Sequence, residues 1–112
     1  MNQRKTTMTV PSKGLKFDQD KGRYDLVPPF ALDEIVKVLT IGSKKYADEN
    51  WRDVEGCTRR YFAAANRHLW APLRGESHDP ETGLHHWTHA ACCLLFLVEI
   101  ASGKKDNKPK FD

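Results

Sequence analysis

The apolar run from Ala90 to Ala101 limits the folds open to this chain more than any other stretch. Glu99 is its only charged residue, and apolar side chains fall on several sides of a helix drawn through the run. A helix of that kind is buried, either within one domain or at a subunit interface. No stretch of the sequence carries a convincing strand pattern. We therefore expect an all-α fold packed around this segment.

Three helices are predicted from start signals and apolar spacing. The first spans residues 28–46 and begins at a proline pair. The second spans residues 59–70, with Thr58 as its N-cap. The third spans residues 84–101. Together they predict a compact bundle of three to five helices, with an extended N-terminal segment and a disordered C-terminal tail.

The chain is expected to divide into a flexible arm (1–13), one helical domain (14–102) and a tail (103–112). Aromatic and aliphatic residues should hold the extended segment 14–29 against the helices: Phe17, Tyr24, Leu26 and Val27. A stripe at helical spacing is expected to form the inner side of the second helix: Phe62, Ala65, Leu69 and Leu73.

Composition narrows the class of protein and of partner. The chain has 112 residues, a formal net charge of +3 and an isoelectric point near 8.8. That charge suits an anionic ligand such as a nucleotide but is too weak and scattered to indicate duplex DNA binding. Three cysteines without CxxC spacing indicate free thiols in a reducing compartment. Neither a signal peptide nor a membrane-spanning run is expected, so we predict a cytoplasmic protein.

Residues 76–89 hold three carboxylates and four histidines just before the apolar run. Glu76 and Asp79 can hold one Mg²⁺ between them. The same pattern also fits a solvated acidic turn in which Asp79 caps a helix beginning at Pro80. His86 and His89 share the inward side of the third helix. There they can bind metal, hold carboxylates or act as a base, or they can be hydrogen-bonded core histidines.

Other charged positions allow two interpretations each. His78-Asp79 resembles the central pair of an HD-type phosphohydrolase site, for which His68 could serve as the upstream histidine. The aspartates downstream lie only in the tail, so His78 is expected at the surface. Glu34 can bind metal if it faces the acidic turn, and otherwise it interacts with the dipole of the first helix. Lys44 and Lys45 can bind phosphates or belong to a solvated face.

Four motifs follow one another along the chain: Lys16-Phe-Asp-x-x-Lys-x-Arg-x-Asp-Leu-x-Pro, Gly42-x-Lys-Lys-Tyr-x-x-x-Asn-Trp51, Arg67-His68, and Gly75-Glu-x-x-Asp-Pro-Glu-x-Gly-Leu-x-His-x-x-His-Ala-Ala-Cys-Cys. In this order they resemble the bacteriophage dATP/dGTP diphosphohydrolase family, over about residues 14–101. That family is related to the MazG-like all-α NTP pyrophosphohydrolases.

The resemblance implies a helical homo-oligomer, a dimer or tetramer, that requires Mg²⁺ or Mn²⁺. It implies cleavage of dATP and dGTP between the α and β phosphates, which in phages with 2-aminoadenine DNA supplies dGMP and depletes dATP. The superfamily usually carries carboxylate pairs on two helices. Here His68 and His86-x-x-His89 stand where carboxylates are expected, so the metal ligands are predicted to mix histidine with Asp and Glu.

These expectations assign a role to each candidate residue. Metal binding is assigned to Glu34, Glu76, Asp79 and His68. Proton transfer is assigned to Glu81, His86 or His89. Substrate binding is assigned to Lys16, Lys21, Arg23, Asp25, Lys44, Lys45, Asn50 and Trp51. Two alternatives stay open: a triphosphohydrolase that releases inorganic triphosphate, and a non-enzymatic helical phage adaptor that binds a host protein or nucleic acid.

Overall fold

The computed structural model describes residues 14–17, 19–104 and 108–111. Its body consists of three α-helices: α1, Pro29–Lys45; α2, Cys57–Trp70; and α3, His86–Ala101. Short 3-10 turns occur at Tyr24–Leu26, Asn50–Asp53 and Pro72–Arg74. Within the described ranges there is no strand, and the one extended pairing is an isolated bridge between His78 and His85. The predicted all-α bundle is confirmed.

The helix α3 occupies the centre of the fold, as its apolar run predicts. It packs along α2 and, over a shorter length, against α1. Apart from His86, small residues fill the most buried positions, Ala65 of α2 and Ala90, Cys92 and Cys93 of α3. All three cysteines are free thiols, as predicted, and burial raises the pKa of Cys92 to about 12. This thiol is therefore unreactive at neutral pH.

Two helix starts differ from prediction, and local backbone geometry explains both. Gly56, with φ of +67°, occupies the N-cap position of α2, so Thr58 lies inside the helix and is not its cap. A glycine adopts this left-handed conformation at little cost, which lets the chain turn directly into the helix. At α3 the cap is His85, whose Nδ1 accepts the amide proton of Trp87 at 2.9 Å.

The predicted apolar contacts of two segments are wrong. Four residues expected to anchor the N-terminal segment are exposed instead: Phe17, Tyr24, Leu26 and Val27. The same holds for Phe62 and Leu69 of α2 and for Leu73 of the following 3-10 turn, whereas Ala65 is buried. The side of α2 that faces α3 passes through Tyr61, Ala65 and His68. A small residue permits the closest helix approach, so Ala65 determines the contact face and the larger apolar residues turn outward.

Some predictions concern the two ends of the chain. The arm 1–13 and, within the tail, residues 105–107 and 112 lie outside the described residues. Residues 108–111 have no regular secondary structure. None of the helices in the described part of the chain is long and apolar enough to span a bilayer.

Candidate functional site

The loop between α2 and α3 folds back so that its tip approaches both helices. The amide of Asp79 donates to the carbonyl of Leu84 at 2.8 Å, which joins the two arms of the loop. At the tip, Asp79 Oδ1 accepts the amide proton of Glu81 at 2.7 Å. This side-chain hydrogen bond closes an Asx turn. Asp79 therefore caps a turn, as the acidic-turn interpretation allowed, but no helix begins at Pro80.

Three side chains from three different segments converge near this tip. His68 comes from the last turn of α2, Asp79 from the loop and His89 from the first turn of α3. One potential ligand atom from each lies within 4.8 Å of the other two, and all three residues are half-buried. The rings of His68 and His89 stack with centroids 4.8 Å apart. In the described part of the chain this is the only such group of three, and we call it the His-Asp-His cluster.

One pair of potential ligand atoms in the cluster has the spacing of atoms that share one cation. His89 Nε2 and Asp79 Oδ2 are 3.6 Å apart, which is longer than a hydrogen bond. Ligand atoms bound at about 2.1 Å to one ion lie roughly 3–4 Å from each other. The separation between these two side chains therefore fits a bridging cation better than a direct contact.

Burial sets the protonation states of the cluster. It lowers the pKa of both His68 and His89, and the mutual proximity of the histidines lowers the pKa of His68 further. Burial acts to raise the pKa of Asp79, but the amide of Glu81 and the neighbouring His89 outweigh it, so that this pKa is lowered. The two imidazoles are thus neutral and the carboxylate is ionised at pH 7, which are the forms that bind metal.

A hydrogen-bonded chain behind the cluster orients His68. Glu76 Oε1 lies 2.7 Å from His86 Nε2, and His86 Nδ1 lies 2.8 Å from His68 Nδ1. An ionised carboxylate only accepts, so His86 donates from Nε2 and, as a neutral ring, accepts at Nδ1. His68 must then carry its proton on Nδ1. Its Nε2 lone pair is left free for a metal, an arrangement typical of metal-binding histidines.

Thr82 contacts His89 at the ring nitrogen that faces Asp79. The Thr82 hydroxyl accepts the amide proton of Leu84 at 3.2 Å and lies 2.7 Å from His89 Nε2. A hydroxyl oxygen has two lone pairs, so this contact fits either a proton donated by Thr82 to Nε2 or one donated by Nε2 to Thr82. In both cases Thr82 engages Nε2, and this nitrogen would bind a cation only in place of that hydrogen bond. No feature of the sequence pointed to Thr82, because its role depends on the folded turn.

Two predicted metal ligands lie outside the cluster. Glu34 forms an ion pair with Lys37 at 2.8 Å on α1. Glu76 contacts His86, which separates it from His68 by one side chain. The structure therefore brings together His68 and Asp79 from the predicted metal set, and their role as ligands stays a prediction.

The residues predicted to transfer protons have three different surroundings. Glu81 extends from the turn and pairs with Lys45, at the end of α1, at 2.8 Å. Both ring nitrogens of His86 are engaged by neighbours. His89 belongs to the cluster itself.

The predicted substrate-binding residues lie on two separate parts of the molecule. Four are exposed on the N-terminal segment, Lys16, Lys21, Arg23 and Asp25, and the last two pair with each other at 2.7 Å. The other four surround the end of α1: Lys44, Lys45, Asn50 and Trp51. Trp51 is half-buried and stacks on Phe96 of α3, with ring centroids 4.4 Å apart. His78 is exposed, as predicted.

Known proteins resemble this chain over most of its length. The dATP/dGTP diphosphohydrolase of Salmonella phage PMBT28 is 37% identical over 99 residues, which are 88% of this chain and 32% of that protein. The chain therefore spans about a third of the length of that relative. No solved structure matches the chain. The family model described as dATP/dGTP diphosphohydrolase, N-terminal, matches residues 11–110. Since that match takes in all three helices and the whole His-Asp-His cluster, the chain belongs to this family.

Proposed function

We propose that this chain is, or forms part of, a metal-dependent hydrolase that converts dATP and dGTP to monophosphate and pyrophosphate. The observation that carries this proposal is the His-Asp-His cluster, in which two imidazoles and one carboxylate each offer a potential ligand atom within 4.8 Å of the other two. The similarity to the phage dATP/dGTP diphosphohydrolase supports the substrate class. The reaction would take place in the cytoplasm of the infected cell and would change its pool of purine deoxynucleotides.

The donor set of the cluster favours one of the two predicted metals. Mg²⁺ prefers oxygen ligands, whereas imidazole suits first-row transition metals. His68, Asp79 and His89 would therefore hold Mn²⁺ more tightly than Mg²⁺. When bound, a divalent cation offsets the charge on phosphate oxygens and lowers the pKa of water for attack.

Glu81 is the best-placed proton acceptor among the three predicted. Its carboxylate lies close enough to His89 that its charge acts to raise the pKa of that ring, and its side chain is exposed to entering substrate. His86 is unsuited, because its two nitrogens already contact His68 and Glu76. Lys45, which pairs with Glu81, would move to the phosphates when substrate enters and leave the carboxylate free to accept a proton.

We also propose that the active form is a homo-oligomer, because a single chain leaves much of its apolar surface in solvent. On α3, Trp87, Leu94 and Val98 follow one another at helical spacing, and Val98 is 72% exposed. Trp87 Nε1 donates to the carbonyl of Leu69 on α2 at 3.2 Å, so this surface continues onto the neighbouring helix. An apolar surface of that extent on a short chain is typical of a subunit interface, and a second copy is the occupant that we propose.

The test of the reaction is incubation of the protein with dATP or dGTP and MnCl₂, with products separated by anion-exchange chromatography. Monophosphate and pyrophosphate are expected in equal amounts. Nucleoside and inorganic triphosphate would instead show a triphosphohydrolase. If no nucleotide is consumed, the hydrolase proposal is rejected and the helical adaptor remains.

Two histidine variants test whether turnover depends on the cluster. His89→Ala removes one proposed ligand and should lower kcat by at least about 100-fold. His78→Ala removes an exposed histidine of the same loop and should leave kcat within about twofold, since surface changes of this kind are nearly neutral. Equal activity of the two variants would mean that the cluster takes no part.

A further inference from the structure

A concavity of about 840 Å³ lies where the end of α1 and the 3-10 turn Asn50–Asp53 meet α2. Three arginines of α2 line it, Arg59, Arg60 and Arg67. We call it the arginine concavity. Its volume falls within the range of about 300–1,000 Å³ in which small ligands bind. None of its arginines is among the residues predicted from the sequence to bind substrate.

Neighbouring carboxylates do not neutralise the arginines of this concavity. Asp53 is the only carboxylate in the lining, and within the described ranges none of the three arginines forms an ion pair. Arg60 instead donates from Nη1 to the carbonyl of Glu55 at 3.4 Å. The lining thus keeps an excess of positive charge on a concave surface. Such a surface concentrates anions, and the guanidinium fork matches phosphate oxygens.

The arginine concavity adjoins the His-Asp-His cluster through one residue. Arg67 precedes His68 in α2, and its positive charge helps to lower the pKa of that histidine, after burial and the neighbouring His89 and His86. The two side chains are about 100° apart on the helix, so they face adjacent surfaces. An extended anion that contacts Arg60 and Arg67 would therefore end beside the cluster.

We propose that the arginine concavity binds the phosphate chain of the nucleotide. The ligand class is a linear polyphosphate with at least three phosphoryl groups, free or attached to a nucleoside. This inference rests on the proposed function for its natural ligand, although the binding itself needs neither metal nor turnover. It also differs from the prediction that Lys16, Lys21 and Arg23 bind phosphates. The three arginines of the concavity project from one helix, so their backbone positions are fixed relative to one another.

The experiment is calorimetric titration of the full chain with inorganic tripolyphosphate in EDTA, which removes any contribution from metal. The test variant is Arg60→Gln/Arg67→Gln. The matched control is Lys37→Gln/Lys104→Gln, which changes net charge equally at exposed positions outside the concavity. Circular dichroism checks that α2 stays helical. If the test variant does not fold, Arg60→Lys/Arg67→Lys keeps the charge but loses the planar fork, and a smaller loss of affinity is expected.

We expect wild-type protein to bind tripolyphosphate, the test variant to bind at least tenfold more weakly, and the control to stay within twofold of wild type. A dGTP titration should give the same ranking. Equal affinities for the two double variants, or no binding to wild type, would overturn the inference. Failure of hydrolysis alongside intact, arginine-dependent binding would reject only the proposed reaction, so the two proposals fail separately.

Discussion

At the scale of single residues, the site depends on how its neighbours hold each histidine. Glu76, through His86, leaves the Nε2 lone pair of His68 available, whereas Thr82 forms a hydrogen bond with Nε2 of His89. The sequence indicated the residue types but not these contacts. Glu76 was predicted as a ligand and His86 as a base, whereas their positions suit residues that orient a ligand.

Glu76→Gln tests this positioning role. The neutral amide should hold His86 less firmly, so affinity for Mn²⁺ is expected to fall about 10- to 100-fold, as is typical when a partner of a metal-binding histidine is altered. Glu55→Gln, on an exposed loop away from the cluster, is the matched control and should bind Mn²⁺ normally. Calorimetric titration measures both. Unchanged affinity in Glu76→Gln would show that His68 needs no such support.

The lowered histidine pKa values predict how the metal-free protein responds to pH. The folded state binds protons at His68 and His89 less readily than the unfolded chain, whose histidines have a pKa near 6.5. As pH falls below about 6.5, the unfolded state gains more protons, so the free energy of unfolding decreases. Urea denaturation between pH 7.5 and 5.5 should show this loss. His68→Gln/His89→Gln should flatten the pH dependence, and an equally steep profile would contradict this assignment.

At the scale of elements, the turn 79–83 determines whether the cluster forms. Gly83 has φ of +77°, and a methyl group added there would meet no atom within 4 Å. Gly83→Ala should therefore destabilise the fold through backbone strain alone, by about 1–2 kcal/mol. The same change at Gly42, inside α1 and equally free of contacts, should stabilise by about 0.5–1 kcal/mol.

Chemical denaturation compares these two glycine variants, and Mn²⁺ titration completes the comparison. Since the turn holds Asp79 and Thr82, Gly83→Ala should also weaken metal binding, whereas Gly42→Ala should not. Equal stability changes in the two variants would mean that the turn can relax without strain.

The sequence predicts a feature when the contacts that form it lie close together along the chain, and fails when they join distant segments. Pro28 and the apolar run of α3 were sufficient to predict the helices, because start signals and periodicity lie within the element itself. The approach of His68 to His89 joins helices separated by a loop, and no spacing in the sequence shows where that loop turns. The prediction for the inner side of α2 was wrong because Ala65, a small residue, determined where the two helices pack most closely.

At the scale of the whole molecule, the exposed apolar surface of α2 and α3 predicts association. Wild-type protein is expected to elute as a dimer or tetramer in size-exclusion chromatography with light scattering. Val98→Asp should dissociate it, because a charge would be buried at the interface. Leu15→Asp, an exposed apolar position on the N-terminal segment, should leave the assembly unchanged. A monomeric wild-type protein at micromolar concentration would contradict the proposed oligomer.

The central claim, that the His-Asp-His cluster holds a divalent cation, is tested most directly by anomalous diffraction from crystals grown with MnCl₂. We predict one manganese peak in bonding contact with His68 Nε2, with a carboxylate oxygen of Asp79, and with His89 Nε2 in place of its hydrogen bond to Thr82. A peak at Glu34 or between Glu76 and Asp79 without an imidazole, or no peak at the cluster, would contradict this account.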